Sequence, residues 1–361
     1  MNIPFHGSYR AEQVTFLLKP IQLAPIADTA AKEALIQSGQ KHYSEMLSPE
    51  YPPSARYLDL FRAACVQNEA RMAADCRQLA ACIVARHHRA PALVSLARAG
   101  TPVGVILRGI LSRHYGAPVA HYSISIIRDR GIDENALRHI LAHHADTDLV
   151  FIDGWTGKGV IARELHRFIA AYNAQAGTNI DSGLYVLADL SGTAACAATA
   201  DDYLIPSALL NATISGLISR SILNEQIGAD DYHGCVYYRD LAPHDLSQTF
   251  ADRISILADG ELPTAAPADT AQAATTAQHL LADIRARYGI SNDNLIKPGI
   301  GEATRVLLRR HPERLILRDP AAPATAHLVQ LAAEKQAIVE HRPDLPYHAV
   351  ALIRSHGPVN R

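Results

Sequence analysis

The sequence predicts an α/β protein in which a parallel sheet carries helices on both faces and a smaller α/β unit follows. Three observations carry this expectation. Apolar runs that end in a small-residue loop and lead into a helical pattern recur from Ala92, from Leu149 and from Gly183, which is how strand, turn and helix alternate along a buried parallel sheet. The stretch Asp259 to Ala274 is rich in Ala, Thr and Pro, with little other apolar content, and reads as a linker. A chain of 361 residues, 48% of them hydrophobic, is too long for one ordinary domain and can bury a large core. The expected division is a first domain over 1–257, a linker over 258–278 and a second unit over 279–361.

In chain order, Gly7 to Ile21 alternates around Val14, Phe16 and Leu18 and suits an edge strand or an arm on another subunit. Ala27 to Gly39 reads as a helix closed by glycine, His42 to Pro53 as a loop, and Ser54 as the cap of a helix reaching about His88. Cys65, Cys76 and Cys82 lie in that helix among Ala and Leu, the setting of buried structural thiols. Ala92 to Leu96 is a strand, Arg98 to Thr101 a loop, and Pro102 suits the first position of the next helix.

Pro118 to Ile127 alternates as a strand, and the Arg128-Asp-Arg130 turn precedes a helix from Glu134 to His144. Arg128 and Arg130 suit a cation pair that closes over phosphate oxygens. His139, His143 and His144 have no acid or cysteine nearby to complete a metal set and read as surface residues.

Leu149 to Val160 reads Leu-Val-Phe-Ile-Asp-Gly-Trp-Thr-Gly-Lys-Gly-Val: a buried strand, a tight loop and the start of a helix. Gly154, Gly157 and Gly159 let several N–H groups face one anion, beside a helix N-terminus. The spacing is not that of a Walker loop.

A further strand, Gly183 to Asp189, ends in an acid, and Ser207 to Leu223 has the apolar spacing of a helix. Tyr237, Tyr238 and Arg239 suit a hood over a ring, or a packed surface loop. The second unit shows a Gly-rich turn at Ile296 to Arg310, a strand at Arg314 to Arg318, a helix from Ala326 to Gln336 with Thr325 as its cap, and apolar stretches near Ile338 and from Tyr347 to Ile353.

These motifs resemble two families. Asp153, Gly154, Trp155, Thr156, Gly157, Lys158 and Gly159 resemble the PRPP loop of the type I phosphoribosyltransferases, and Arg98, Ala99, Gly100 and Thr101 resemble their pyrophosphate loop. The resemblance implies a type I phosphoribosyltransferase-like parallel sheet and a glycosyltransferase acting at C1 of a ribose 5-phosphate in PRPP or a nucleotide. Asp153 and Arg98 would be its catalytic residues, with magnesium on Asp153. Arg128, Arg130, Asp189, Tyr237 and Arg239 would close the site. Gly154 stands where that family has a second acid, which keeps open a non-catalytic sensor of PRPP or a nucleotide.

The tail resembles the PELOTA-type RNA-binding domain through Gly299, Gly301, Glu302, Thr304, Arg305 and Arg309, which implies RNA as a partner. Arg310 adds a third cation to that helix. The two parts in this order resemble a family from bacterial tellurium-resistance gene clusters whose members also carry the label cysteine protease StiP. For that reading Cys235, two residues after His233, is the best candidate thiol.

The formal net charge of −2 excludes a globally basic nucleic-acid binder. No apolar run approaches the ~20 residues that span a bilayer, and the N-terminus lacks a basic segment followed by an apolar one. Five cysteines without a Cys-x-x-Cys pair suit a reduced compartment. A cytoplasmic protein without membrane attachment, assembled as a homodimer, is the expectation.

Overall fold

The computed structural model describes residues 5–310 and 312–353, apart from the side chains of residues 29, 30, 33, 37 and 309. The first part runs β1 (Thr15–Leu17), β2 (Lys19–Pro20), α1 (Thr29–Gln37), α2 (Ala55–Arg86), β3 (Ala92–Leu96), α3 (Thr101–Tyr115), β4 (Ala120–Ile124), β5 (Ile126–Ile127), β6 (Gly131–Ile132), α4 (Glu134–Leu141), β7 (Leu149–Thr156), α5 (Val160–Ala176), β8 (Leu184–Asp189), β9 (Cys196–Thr199), β10 (Gly234–Cys235) and α6 (Ser247–Leu257). The second part runs α7 (Ala271–Tyr288), β11 (Ile296–Pro298), α8 (Ile300–Arg309), β12 (Pro312–Leu317), α9 (Ala326–Glu334), β13 (Ile338–His341) and β14 (Ala349–Ile353).

The central sheet has six strands in the order β1-β4-β3-β7-β8-β9, paired in parallel throughout. Its strands are apolar on both faces because helices cover both. Leu93, Val150 and Ile152 pack with α2, α3 and α6 on one side, while Val94, Leu149 and Phe151 pack with α4 and α5 on the other. The 2.0 period of the strand thus divides each apolar run between two cores. Strand order reverses between β3 and β7, and in open parallel sheets such a crevice at the carboxyl ends is where ligands gather. The mixed α/β architecture and the small C-terminal part agree with expectation; a type I phosphoribosyltransferase fold is not established.

The N-terminal stretch left open between edge strand and arm is an edge strand, because β1 pairs with β4 within the same chain. Ser54 Oγ accepts the Tyr57 N–H and caps α2 as its sequence position suggests. The helix expected over Ser207 to Leu223 is not formed. Short 3-10 turns occupy Pro206–Ala208 and Ala212–Ile214, and the backbone then turns left-handed at Gly216 and Leu217, with φ of 83° and 60°. Ser219 N bonds Val236 O and Ser215 Oγ bonds Asn211 O, so local polar groups and a neighbouring segment take the backbone partners a helix would need.

The second sheet has the order β11-β14-β12-β13. α7 begins at Ala271, inside the stretch expected as linker. The second part is not held away from the first: Ile300, Ala303 and Leu307 share one apolar core with Leu204, Ile205 and Ala208. Tyr347 Oη donates to Leu190 O at 2.6 Å. Among the described residues, no helix is long and apolar enough to cross a membrane.

Candidate functional site

The crevice between β3 and β7 is built from two loops. After β3 the chain passes through a cis peptide between Ala97 and Arg98 and presses Gly100 onto β7, where an added Cβ would stand 2.5 Å from Ile152 O. Thr101 is buried and shares a hydrogen bond of 2.8 Å with Ser123. Arg98 is held by an ion pair of 2.6 Å to Glu50 and donates to Ile218 O at 2.7 Å. Ala99 lies with Trp155 and Arg305 around a small pocket.

After β7, Asp153 Oδ1 accepts the Gly154 N–H at 2.7 Å. Burial pushes this carboxyl up to about 6 against the opposing pull of that N–H and of Arg305. Gly159 takes a left-handed φ of 69°, and its N–H is bonded by Thr156 Oγ1 at 2.9 Å. Thr156 therefore braces its own loop. Lys158 Nζ donates to Asp293 O, and desolvation, with Lys297 adding like-charge repulsion, pushes its ammonium down to about 8.

The second part covers the place where a 5-phosphate was expected. A Cβ on Gly157 would meet Pro298 O at 3.1 Å and Glu302 Cγ at 3.4 Å. Arg305 lies over the Trp155 ring with its guanidinium 4.2 Å from the centroid. Gly301 packs so close to the indole that a Cβ would stand 2.9 Å from Trp155 Cε2. Gly299, at φ 86°, faces Leu190 in the same way.

The other expected residues are distributed as follows. Arg128 donates to Asn294 Oδ1 at 2.9 Å, so it does reach the crevice rim, whereas Arg130 pairs with Glu45 at 3.1 Å. Asp189 is fully buried and its carboxylate accepts the N–H groups of Ser191, Gly192 and Ala194 together with the Ser191 hydroxyl, which leaves it a turn-holding role. Tyr237 Oη donates to Gly7 O at 3.3 Å, with Arg239 over its ring, so this pair fastens the N-terminal segment. Thr304 is buried and bonds Ile300 O at 2.7 Å and His327 Nε2 at 2.9 Å. Glu302 pairs with Arg305 at 3.3 Å, and the Arg309 side chain lies outside the described residues. His139 and His144 are half-buried and bond Tyr232 and Tyr122 at 2.9 and 3.1 Å, and His143 is exposed.

Sequence reasoning missed Asp202, whose two oxygens accept the N–H groups of Ile300 and His348, each at 2.8 Å. It also missed Glu50, Arg220 and Lys297, which line a cavity of about 750 Å³ between the two parts. The acid pair Asp201-Asp202 just past β9 was a usable signal, since it stands at a strand's carboxyl end; the other three have none.

All five cysteines are buried. Cys235 is fully buried, which pushes its thiol well up. The imidazole of His233 meets Ser125 Oγ at 2.7 Å, and the His233 N–H donates to Asp133 Oδ2 at 2.5 Å. Burial lowers the His233 ring, and the Asp133 charge works the other way. Cys82 is hydrogen-bonded to Cys196 and to Gln78, which favours its thiolate, so the two thiols titrate as a pair with the second proton held more tightly. Among the described residues, no group of three or more His, Cys, Asp or Glu is arranged to hold a metal ion.

Residues 7–255 match the family described as tellurite-like stress resistance cysteine protease StiP, and residues 275–355 match the PELOTA RNA binding domain. A protein of Acinetobacter baylyi (strain ATCC 33305 / BD413 / ADP1) named cysteine protease StiP is 44% identical over an alignment of 369 residues, covering 98% of this chain and 95% of that protein. These matches overturn the glycosyltransferase expectation. The likeness extends along the whole chain to a protein named for peptidase chemistry, and the phosphoribosyltransferase resemblance of the two loops finds no support in it.

Proposed function

Because the chain belongs to the tellurite-like stress resistance cysteine protease StiP family, we propose that it is a cysteine peptidase of that stress response whose C-terminal part binds RNA. The observation that carries this reading is the near full-length likeness to a protein named as a cysteine protease. The PELOTA match supports the RNA half.

The thiol we assign is Cys235. It stands two residues from His233, and residues at that spacing in extended chain lie on one face. A carboxylate, Asp133, adjoins the same imidazole segment. In this mechanism the His233 ring takes the thiol proton, and the Cys235 sulfur attacks the carbonyl carbon of a peptide bond. The ring then gives the proton to the departing amine. Water cleaves the thioester, releases the acid and restores the thiol. Cys82, although better placed to ionise, bonds Cys196 and Gln78 and, among the described residues, no imidazole that could serve the leaving amine.

Full burial of Cys235 requires the segment around β10 to open before substrate arrives, so activity should follow exposure of this thiol. The test is hydrolysis of a casein-type substrate by the full chain and by Cys235→Ser and Cys82→Ser. Loss in the first with activity kept in the second is the expected result. Equal activity in Cys235→Ser and wild type would remove the assignment.

A further inference from the structure

The cavity between the two parts is left unused by the peptidase reading. Its volume of about 750 Å³ falls within the range of ligand sites. Seven Lys and Arg side chains line it against two carboxylates, Glu50 and Glu302, although the whole chain has a net charge of −2. The first part contributes Lys32, Arg98 and Arg220, and the second contributes Lys297, Arg305, Arg310 and Lys335. Arg220 Nη1 and Arg305 Nε are buried without a hydrogen-bond partner, an expensive state for charged donors.

The cations also crowd one another. Desolvation lowers Arg220 to about 10, with Arg98 and Arg310 adding repulsion. Desolvation lowers Lys297 as well, with Arg310, Arg128 and Arg305 nearby. A protein keeps such a set together at a cost that an incoming polyanion would relieve.

Three tyrosines, Tyr43, Tyr51 and Tyr57, line the same cavity, and Tyr51 is 75% exposed at its mouth. Cations along a groove with aromatic faces beside them are the elements of single-strand recognition: charge follows the backbone and bases stack on the rings. Residues 300–305 of the C-terminal part, where RNA contact was expected, instead pack on Trp155 and in their own core. Arg310 and Lys335, which line the cavity, are exposed.

We propose that this cleft seats the unpaired stretch of an RNA, with Arg98 and Arg220 of the first part and Lys297 and Arg310 of the second holding its phosphates and Tyr51 stacking on a base. The inference rests on the RNA half of the proposed function and adds where the RNA lies and which form is taken. A cavity of this size admits about one or two nucleotides and no duplex.

The test is fluorescence anisotropy of the full chain with a 5′-labelled decamer of uridine, with a duplex of equal length and with inorganic tripolyphosphate as competitor. The exposed variants Tyr51→Ala and Arg310→Gln/Lys335→Gln are the first choice, because they leave the core alone; Arg220→Gln follows, with thermal melting as its folding control. Each of the first two should weaken decamer binding by about tenfold, and the double variant should also flatten the dependence on salt. Cys235→Ser should bind as wild type does, which keeps this result separate from the peptidase assignment. Decamer binding that is unchanged in Tyr51→Ala and Arg220→Gln would remove the cleft while leaving RNA binding in place. Tight tripolyphosphate binding without decamer binding would make the cavity a small-anion site and overturn the proposal. Binding of neither would overturn it together with the RNA half of the proposed function.

Discussion

Trp155 is the chain's one tryptophan, and it packs against the Arg305 guanidinium and Gly301 of α8. Its fluorescence therefore reports on the contact between the two parts. Gly301→Ala would put a methyl group 2.9 Å from the indole, a contact so close that the ring or α8 must shift. The expected loss is about 1–3 kcal/mol of stability, with a red-shifted emission. An unchanged melting temperature and spectrum would mean that the ring is not enclosed. The sequence shows that Gly301 permits close approach, and that much is right; it does not show whether an indole or a nucleic acid does the approaching. Asp189 is a similar case. An acid at a strand end reads as a ligand group until its four hydrogen-bond donors, three backbone N–H groups and a hydroxyl, are seen.

Helix α8 and strand β14 are fastened to the first part by one side chain, because Asp202 accepts the N–H that opens α8 and the N–H just before β14. Burial pushes this carboxyl up to about 6 from an ordinary 3.8, although both N–H bonds pull the other way. The folded chain thus holds the Asp202 proton more tightly than the unfolded chain. Its contribution to stability is complete below the ordinary value and is lost as pH rises through about 6. Wild type should therefore gain on the order of 1 kcal/mol relative to Asp202→Asn between about pH 7 and pH 5. Parallel urea midpoints at the two pH values check this, and equal shifts in both proteins would refute it. At this scale the strands of the central sheet and the helix after Ser54 were legible, because period and capping act locally. The irregular chain from Pro206 to Leu223 was not. Its Leu210, Ile214 and Ile218 are buried at helical spacing, while Gly216 and Leu217 adopt backbone angles that no helix contains.

Over the whole molecule the two parts share a core, and heating should unfold them together. Calorimetry, far-ultraviolet dichroism and Trp155 emission should give one coincident transition; two separated transitions would restore the independent units that the Ala/Thr/Pro-rich stretch suggested. That stretch lies between the two matched parts, but composition shows only where a chain can be flexible, whereas docking depends on surfaces such as Leu204, Ile205 and Ile300 that come together only in three dimensions. The same arrangement has a consequence in time. One wall of the cleft is made of residues synthesised after the first part, from β11 to β14. At about 5–20 residues per second the first part waits roughly 5–20 s on the ribosome before that wall is complete. During this interval the apolar surface around Trp155 and Ile205 has no cover. Stalled chains ending near residue 290 should bind a hydrophobic dye, and released full-length chains should not. Birth order thus gives this protein an open youth and a closed maturity, and any partner that reads the uncovered surface meets it only while the chain is being made.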